Sequence, residues 1–282
     1  MSQAVRDLRW VMESPSLITN GCSHISHNSH VDAADLERFL QAQTSHRVGH
    51  YFESLVHYWL KHVRCVNVVD DRVQIFEGKQ TVGELDFLFE DEDGCLTHLE
   101  TAVKFYFYLP SDNALGECFV GPNPADNFQC KTDRLFQHQL AISETYFPDV
   151  QRRIAIVKGR IFYHPALARP SELPPPMSDN HLQNTWLYRR DTNWFRECHP
   201  DSLFRVLPKP YWLADDEVNV GDESLLSANA LLKRLDDDFT TFDRPRLVSV
   251  LRNSDDLCRE VDRVFVVDDR WPKQTSLSQL GK

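Results

Sequence analysis

The chain has no C-x-x-C pair: its seven cysteines stand alone at positions 22, 65, 95, 118, 130, 198 and 258. An odd, scattered set of thiols argues against a zinc ribbon and a disulfide frame, and fits reduced thiols in a cytoplasm. No apolar run approaches the ~18 residues that a membrane-spanning helix needs. The opening segment MSQAVRDLRW is charged from its sixth residue and has no signal-peptide apolar stretch. The expectation is a cytoplasmic protein with no membrane partner. There is no P-loop, no G-x-G-x-x-G, no G-x-S-x-G and no H-E-x-x-H. ATPase, dinucleotide enzyme, serine hydrolase and zincin are therefore poor readings. Internal repeats and low-complexity tracts are absent as well. Positive charge is in deficit, with 31 Lys and Arg against 42 Asp and Glu, a net charge of −11. Such a balance opposes tight, non-specific binding of nucleic acid.

What is present is ordinary in bulk: 282 residues, 41% hydrophobic and 26% charged, enough for a large core. The charge is uneven. Residues 67–100 hold ten acidic and two basic side chains, net −8, whereas residues 104–170 hold eight basic and six acidic, net +2. Screening over about 8 Å at physiological salt lets local pattern outweigh the total. His24, His27 and His30 stand three apart. They read as a polar loop, since no second ligand pair sits at a zinc spacing; a zinc-stabilised interaction domain is the distant alternative.

The most informative stretch is residues 81–109. Two β-type runs flank the turn Asp91-Glu92-Asp93-Gly94, which predicts a hairpin. Side chains alternate between the two faces of a strand. Val82, Glu84, Asp86 and Leu88 share one face; so do His98, Glu100, Ala102, Lys104 and Tyr106 on the second strand. Leu85, Phe87, Phe89, Leu99, Val103, Phe105 and Phe107 take the opposite faces as core. Carboxylates and a lysine in the middle of an otherwise apolar sheet have no structural need to be there. Hard oxygen ligands of this kind select Mg²⁺ or Mn²⁺ over zinc.

G-E-x-D, a hairpin, and a second strand with Glu and Lys resemble the PD-(D/E)XK nuclease superfamily. The resemblance implies that Asp86 and Glu100 hold a divalent metal, with Glu84 on the same face. Lys104 would stand beside the attacking water. The usual E-x-K spacing would put the lysine at Ala102; here it lies four residues on, about 13 Å from Glu100 along the strand instead of about 7 Å. The helix before the sheet often contributes a glutamate in that superfamily. Glu53 matches by pattern, with a solvated helix glutamate as the alternative. The whole chain also resembles a bacterial family known as domain of unknown function DUF1853. The matching segments are RVGHYFE at 47–53, GELDFLF, ETAVKFY, residues 131–140 and the VFVVDDRWP segment.

Elsewhere the periodicity predicts helices at 4–12, from Asp32 or Asp35 to about Gln43, and over 44–63. The last has the apolar stripe Val48, Phe52, Leu55, Trp59 and Val63. Val66–Val69 and Val73–Phe76 read as strands, with Asp70-Asp71 as a break or bulge between them. A helix over 128–143 carries Lys131, Arg134 and His138 as a stripe that would face phosphate, or solvent. Lys131, Arg134 and Gln137 are the candidate nucleic-acid contacts. Gln137 and Gln139 are similar to a glutamine that some nuclease families carry on this helix. Strands follow at 153–157, 160–164, 186–190 and 204–212, with Pro208 and Pro210 pushing the last toward a sheet edge. A helix over 224–238, a short helix near 245–252 and a strand over 263–267 complete the set.

The expected fold is α/β: a restriction-endonuclease-like PD-(D/E)XK core with a mixed central sheet flanked by helices, plus a C-terminal α+β extension. Residues 1–64 would be a helical region packing on the core, 65–165 the nuclease-like sheet, and 166–282 an extension of the same globular unit. Two functions are compatible with this reading. One is a Mg²⁺- or Mn²⁺-dependent nuclease with Asp86, Glu100 and Lys104 as its catalytic set. The other is a catalytically degenerate nuclease fold that serves as a nucleic-acid- or protein-binding scaffold.

Overall fold

The computed structural model describes residues 1–19, 21, 31–43, 46–241 and 243–272. His24, His27 and His30 lie outside the described residues. No helix among the described residues is long and apolar enough to cross a membrane. Ten strands make a mixed sheet flanked by helices, so the α/β expectation holds at that level. The chain divides into two compact units that interleave in sequence. The first is 1–104, 129–159 and 174–182; the second is 105–128, 160–173 and 183–282.

In the first unit, α1 (Gln3–Glu13) and α2 (Ala33–Gln41) precede α3 (Val48–Tyr58), which runs on into a π-helical turn (Trp59–Val63). Asp32 caps α2 by accepting from the Ala34 and Asp35 amides, at 2.9 and 3.1 Å. The predicted stripe Val48, Phe52, Leu55, Trp59 and Val63 is buried throughout. Strand β1 (Asn67–Glu77) is one element, with a bulge between Val68 and Asp70, so of the break or bulge expected at Asp70-Asp71 it is the bulge that forms. It pairs antiparallel with β2 (Gln80–Glu90), which pairs antiparallel with β3 (Leu96–Tyr108), Phe87 opposite Leu99. The hairpin turn forms because Asp91 Oδ1 accepts from the Asp93 and Cys95 amides while Gly94 takes φ +74°.

After β4 (Phe119–Val120) of the second unit, the chain enters a long helix in three parts. These are α4 (Phe128–Arg134), a π-helical turn (Leu135–Gln139) and α5 (Leu140–Tyr146), with helical backbone at both junctions. Its Gln139 and Ser143 side chains meet Glu100 and His98 of β3, and its Ile142 packs with Leu85 of β2. Gly83 makes room for it, since a Cβ there would lie 2.4 Å from the Ile142 methyl. Strand β5 (Arg152–Tyr163) is continuous through Lys158-Gly159, where the sequence suggests two strands. Its start and its Gly159 both lie against β3: the Gln151 amide donates to Leu96 O, and a Cβ on Gly159 would stand 1.8 Å from Lys104 O. The two strands thus run parallel, and the strand order here is β1–β2–β3–β5.

In the second unit the order continues β3–β5–β6–β10–β9–β7. The elements are β6 (Leu182–Tyr188), α6 (Trp194–Cys198), β7 (Leu203–Val206), β8 (Glu217–Asn219), α7 (Ala228–Thr241), β9 (Arg246–Ser254) and β10 (Leu257–Val267). Strand β10 is parallel to β6 and antiparallel to β9. The short helix expected near 245–252 is instead β9. A short apolar run fits either period, and here Leu247 to Leu251 are buried on both faces between β10 and β7, which only a central strand achieves. Val248 and Val250 face Leu231, Leu235 and Phe239 of α7 in one core cluster. The strand expected over 204–212 stops at Val206, since Pro208 and Pro210 have no N–H for a ladder. Arg263, fully buried, ties down the segment that follows. Its guanidinium pairs with Glu260 at 2.6 Å and donates to the carbonyls of Trp212 and Ala214, each at 2.6 Å.

Candidate active site

The carboxylates singled out by the sequence meet in the first unit, beneath the long helix. Asp86, on β2, accepts from the Thr101 amide at 2.7 Å and the Thr101 hydroxyl at 2.9 Å, both on Oδ2. That leaves Oδ1 for an outside ligand. Glu100, on β3, is only 1% exposed. Its Oε1 lies 2.9 Å from His98 Nε2, and its Oε2 accepts from Gln139 Nε2 at 2.5 Å. Gln139 Oε1 in turn accepts from Lys131 Nζ at 2.9 Å. On the far side His98 Nδ1 lies 2.9 Å from Ser143 Oγ, which also accepts from Arg153 Nε at 2.9 Å. Lysine, amide, carboxylate, imidazole, hydroxyl and guanidinium thus form one hydrogen-bonded chain with Glu100 at its centre.

The electrostatics follow from burial. Asp86 is pushed up to about 6, first by desolvation and then by the Glu100 charge; the two Thr101 hydrogen bonds oppose the shift. Glu100 is pushed up to about 7 by burial, against Lys131 and the Asp86 backbone N–H, with Glu84 adding to the rise. His98 is pushed down to about 4 by burial, so it is a neutral ring at physiological pH. Burial and the neighbouring Lys104 depress Lys131, while Glu100 and Asp86 hold it up. Glu100 acts on Asp86, Lys131 acts on both carboxylates, and Lys104 acts on Lys131, which gathers these side chains at one centre.

The remaining expected residues fall at different distances from it. Glu53, on α3, is partly buried; it is raised by burial and then by Asp86, and it pairs with His50 at 3.2 Å and Arg72 at 3.9 Å. Those two partners, with Arg47 among others, line a hollow of about 480 Å³. Glu84 is exposed and acts on Glu100 only through its charge. Arg134 is exposed and acts on Glu100 and Lys131; Gln137 and His138 are also exposed. Among the described residues no three His, Cys, Asp or Glu side chains form a ready ligand set. A metal reading therefore rests on the Asp86–Glu100 pair. The donor chemistry suits a hard cation: a buried and a half-buried carboxylate that resist ionisation alone, and Mg²⁺ is commonly held by one or two carboxylates with waters and substrate phosphate completing its shell.

Lys131 is the main surprise, because its helical stripe with Arg134 suggests an outward, phosphate-facing role. Sequence reasoning also passes over Ser143 and leaves His98 as a face residue without a task. The signal was the period of two on β3, which puts His98 beside Glu100 on the covered face.

Fold and site together define an α/β protein whose mixed sheet carries a largely covered carboxylate pair with a lysine beside it, under a π-bulged helix. The chain belongs to the family described as Domain of unknown function (DUF1853), whose pattern matches residues 6–267. Among curated proteins none matches it.

Proposed function

We propose that the chain is a divalent-metal-dependent phosphodiesterase of the PD-(D/E)XK type, acting on DNA or RNA. The observation that carries this reading is the convergence of half-buried Asp86 and Lys131 on the buried Glu100, with both carboxylates held well above their ordinary pKa values. Perturbed groups of opposite sign in one place are the mark of a functional site more often than of a structural one. Mg²⁺ or Mn²⁺ held by Asp86 and Glu100 would supply Lewis acidity and a more acidic bound water. The chain's own residues do the rest. Thr101 and Gln139 fix the two carboxylates in orientation, so they need not reorganise during reaction. Lys131 and Lys104 place positive charge where a phosphoryl group gains negative charge. In the hydrolysis, water adds to phosphorus, the bond to the leaving oxygen breaks, and the water's proton passes to that oxygen or to solvent.

The test is an assay of single- and double-stranded DNA and RNA with Mg²⁺, with Mn²⁺ and with EDTA. Metal-dependent cleavage by the wild type, lost in Asp86→Asn, is the expected result. Failure of the wild type to cut any of them would favour a second reading, a nuclease fold that has lost catalysis and serves as a scaffold. One observation supports that alternative: both Glu100 oxygens are already engaged in hydrogen bonds within the protein.

A further inference from the structure

The second unit holds a cleft unrelated to the carboxylate site. It consists of two hollows of about 500 and about 610 Å³ that share Lys209, Trp212, Arg244 and Pro245 as a common wall. In a chain of net charge −11 this wall is basic. In the larger hollow Arg205 is neutralised by Asp216, at 2.6 and 2.8 Å. Arg234 and Arg246 share the single carboxylate of Asp238. Glu223 is the other acid there. Lys209 and Arg244 make no ion pair or side-chain hydrogen bond among the described residues. Five cations thus face three carboxylates, Asp216 included, leaving a surplus of two. The smaller hollow adds two carboxylates, Asp268, which is committed to Arg270 at 2.8 Å, and Asp243, the chain neighbour of Arg244.

The two unneutralised cations are also held in place. Lys209 stands between Pro208 and Pro210, and its Nζ lies 4.7 Å from the Trp212 ring centre. Trp212 is itself pinned: its Nε1 donates to Leu207 O at 3.0 Å, and its carbonyl accepts from Arg263. Arg244 precedes Pro245. Proline fixes its own backbone angle and restricts the residue before it, so both cations start from stiff backbone and lose little entropy on capturing a ligand. Partial burial, and after it the charge of Arg244, depresses Lys209, and both cations line the wall common to the two hollows. An anion between them would relieve that repulsion. The hollows are of a size for a small organic ligand. Trp212, Trp271, Pro122 and Pro124 give the smaller one a largely apolar, flat-sided wall.

We propose that this cleft binds a nucleoside-sized phosphomonoester, its phosphate held by Lys209 and Arg244 and its ring system against the tryptophan and proline wall. The phosphate could belong to a free nucleotide or to the 5′ end of a polynucleotide, and the experiment separates these. Binding to the full chain is measured by calorimetry in EDTA, which keeps the carboxylate site out of play. The probes are adenosine 5′-monophosphate, adenosine, inorganic phosphate, and a short single-stranded oligonucleotide with and without a 5′-phosphate. A phosphorylated probe should bind, and its dephosphorylated form should bind at least about tenfold more weakly, the value of one charge-assisted contact. Lys209→Met and Arg244→Gln should each weaken it by about tenfold or more, while Lys209→Arg and the exposed control Lys233→Met should stay near wild type. Preference for the nucleotide identifies a free ligand; preference for the 5′-phosphorylated oligonucleotide identifies a strand end. Three results would overturn the proposal: no binding of any phosphorylated probe, inorganic phosphate binding as tightly as the nucleotide and the oligonucleotide, or unchanged binding in Lys209→Met and Arg244→Gln. Both variants alter exposed side chains, and matching melting curves would show that they fold.

Discussion

Gln139 Nε2 donates to Glu100 Oε2 across 2.5 Å, and with the His98–Ser143 pair this contact ties the long helix to β3. The same amide accepts from Lys131, eight residues earlier. On a regular α-helix residues eight apart point about 80° away from each other. The π-helical turn over Leu135–Gln139 takes up one extra residue, so eight positions behave as seven and complete nearly two turns. The bulge therefore brings Lys131 and Gln139 onto one face, against Glu100.

Replacing that amide tests the arrangement. In Gln139→Glu a third carboxylate would meet Glu100, and the donor to Oε2 would be lost. The variant should melt well below wild type at pH 8 and recover much of the difference at pH 5, where a proton shared between the two acids restores the hydrogen bond. Gln139→Ala should cost about 1–3 kcal/mol by leaving a buried acceptor short of a donor. Equal melting of both variants and wild type at both pH values would show that the contact contributes nothing.

The raised pKa values make a second prediction, with a definite sign. Asp86 moves from 3.8 to about 6 and Glu100 from 4.5 to about 7. Between those limits the folded state holds protons that the unfolded state has released, so these two groups lose stability as pH rises. His98, lowered from 6.5 to about 4, acts in the opposite direction, its contribution being lost as pH falls. The comparison of wild type with Asp86→Asn isolates the carboxylates. In EDTA the variant should melt at or above wild type at pH 8, with the gap closing at pH 5. Excess Mn²⁺ should stabilise the wild type at pH 8, by about 1.4 kcal/mol at ten times its dissociation constant, or about 3–6 °C. That gain should shrink at pH 5, because the metal competes with protons. If Mn²⁺ stabilises Asp86→Asn as much as wild type, the ion binds elsewhere.

Much of the first unit was legible because its signals are local. The Asp91–Gly94 turn, the alternation on β2 and β3, and the Val48–Val63 stripe each follow from a few neighbouring residues. What was not legible depends on partners far along the chain. Lys131 looks like a surface cation until the π-turn aims it inward. The run over 246–254 fits a helix until β10 and β7 are seen to enclose it. Glu100 looks like a half-exposed strand residue until the helix covers it, and only then do Gln139, Ser143 and His98 acquire their places.

Gly159 provides a structural prediction. Its φ is +156°, and a Cβ there would stand 1.8 Å from the Lys104 carbonyl oxygen and 2.9 Å from its carbon. Backbone cannot step aside as a flexible side chain can. Gly159→Ala should therefore push β5 away from β3 and destabilise the chain by about 3 kcal/mol or more. A melting temperature within a degree of wild type would mean that the strands are farther apart than this geometry requires.

The last prediction concerns which lysine serves catalysis. The resemblance assigns the role to Lys104, which shares a strand face with Glu100. The electrostatics favour Lys131: its charge acts on both Asp86 and Glu100, and it reaches Glu100 through Gln139. Lys104 acts mainly on Lys131, depressing it. If the chain hydrolyses phosphodiesters, Lys131→Ala should lower kcat by about 10²–10³, the usual cost of a preorganised charge at the reacting group. It should keep or increase the Mn²⁺-induced rise in Tm, because a positive charge has been removed from beside the cation. Lys104→Ala should also lose activity while keeping metal binding, by a smaller factor, and it should shift the alkaline limb of the pH–rate profile upward as Lys131 is released from repulsion. The reverse ranking, with Lys104→Ala inactive and Lys131→Ala at full rate, would return the catalytic role to the strand lysine and leave Lys131 as a structural partner of Gln139.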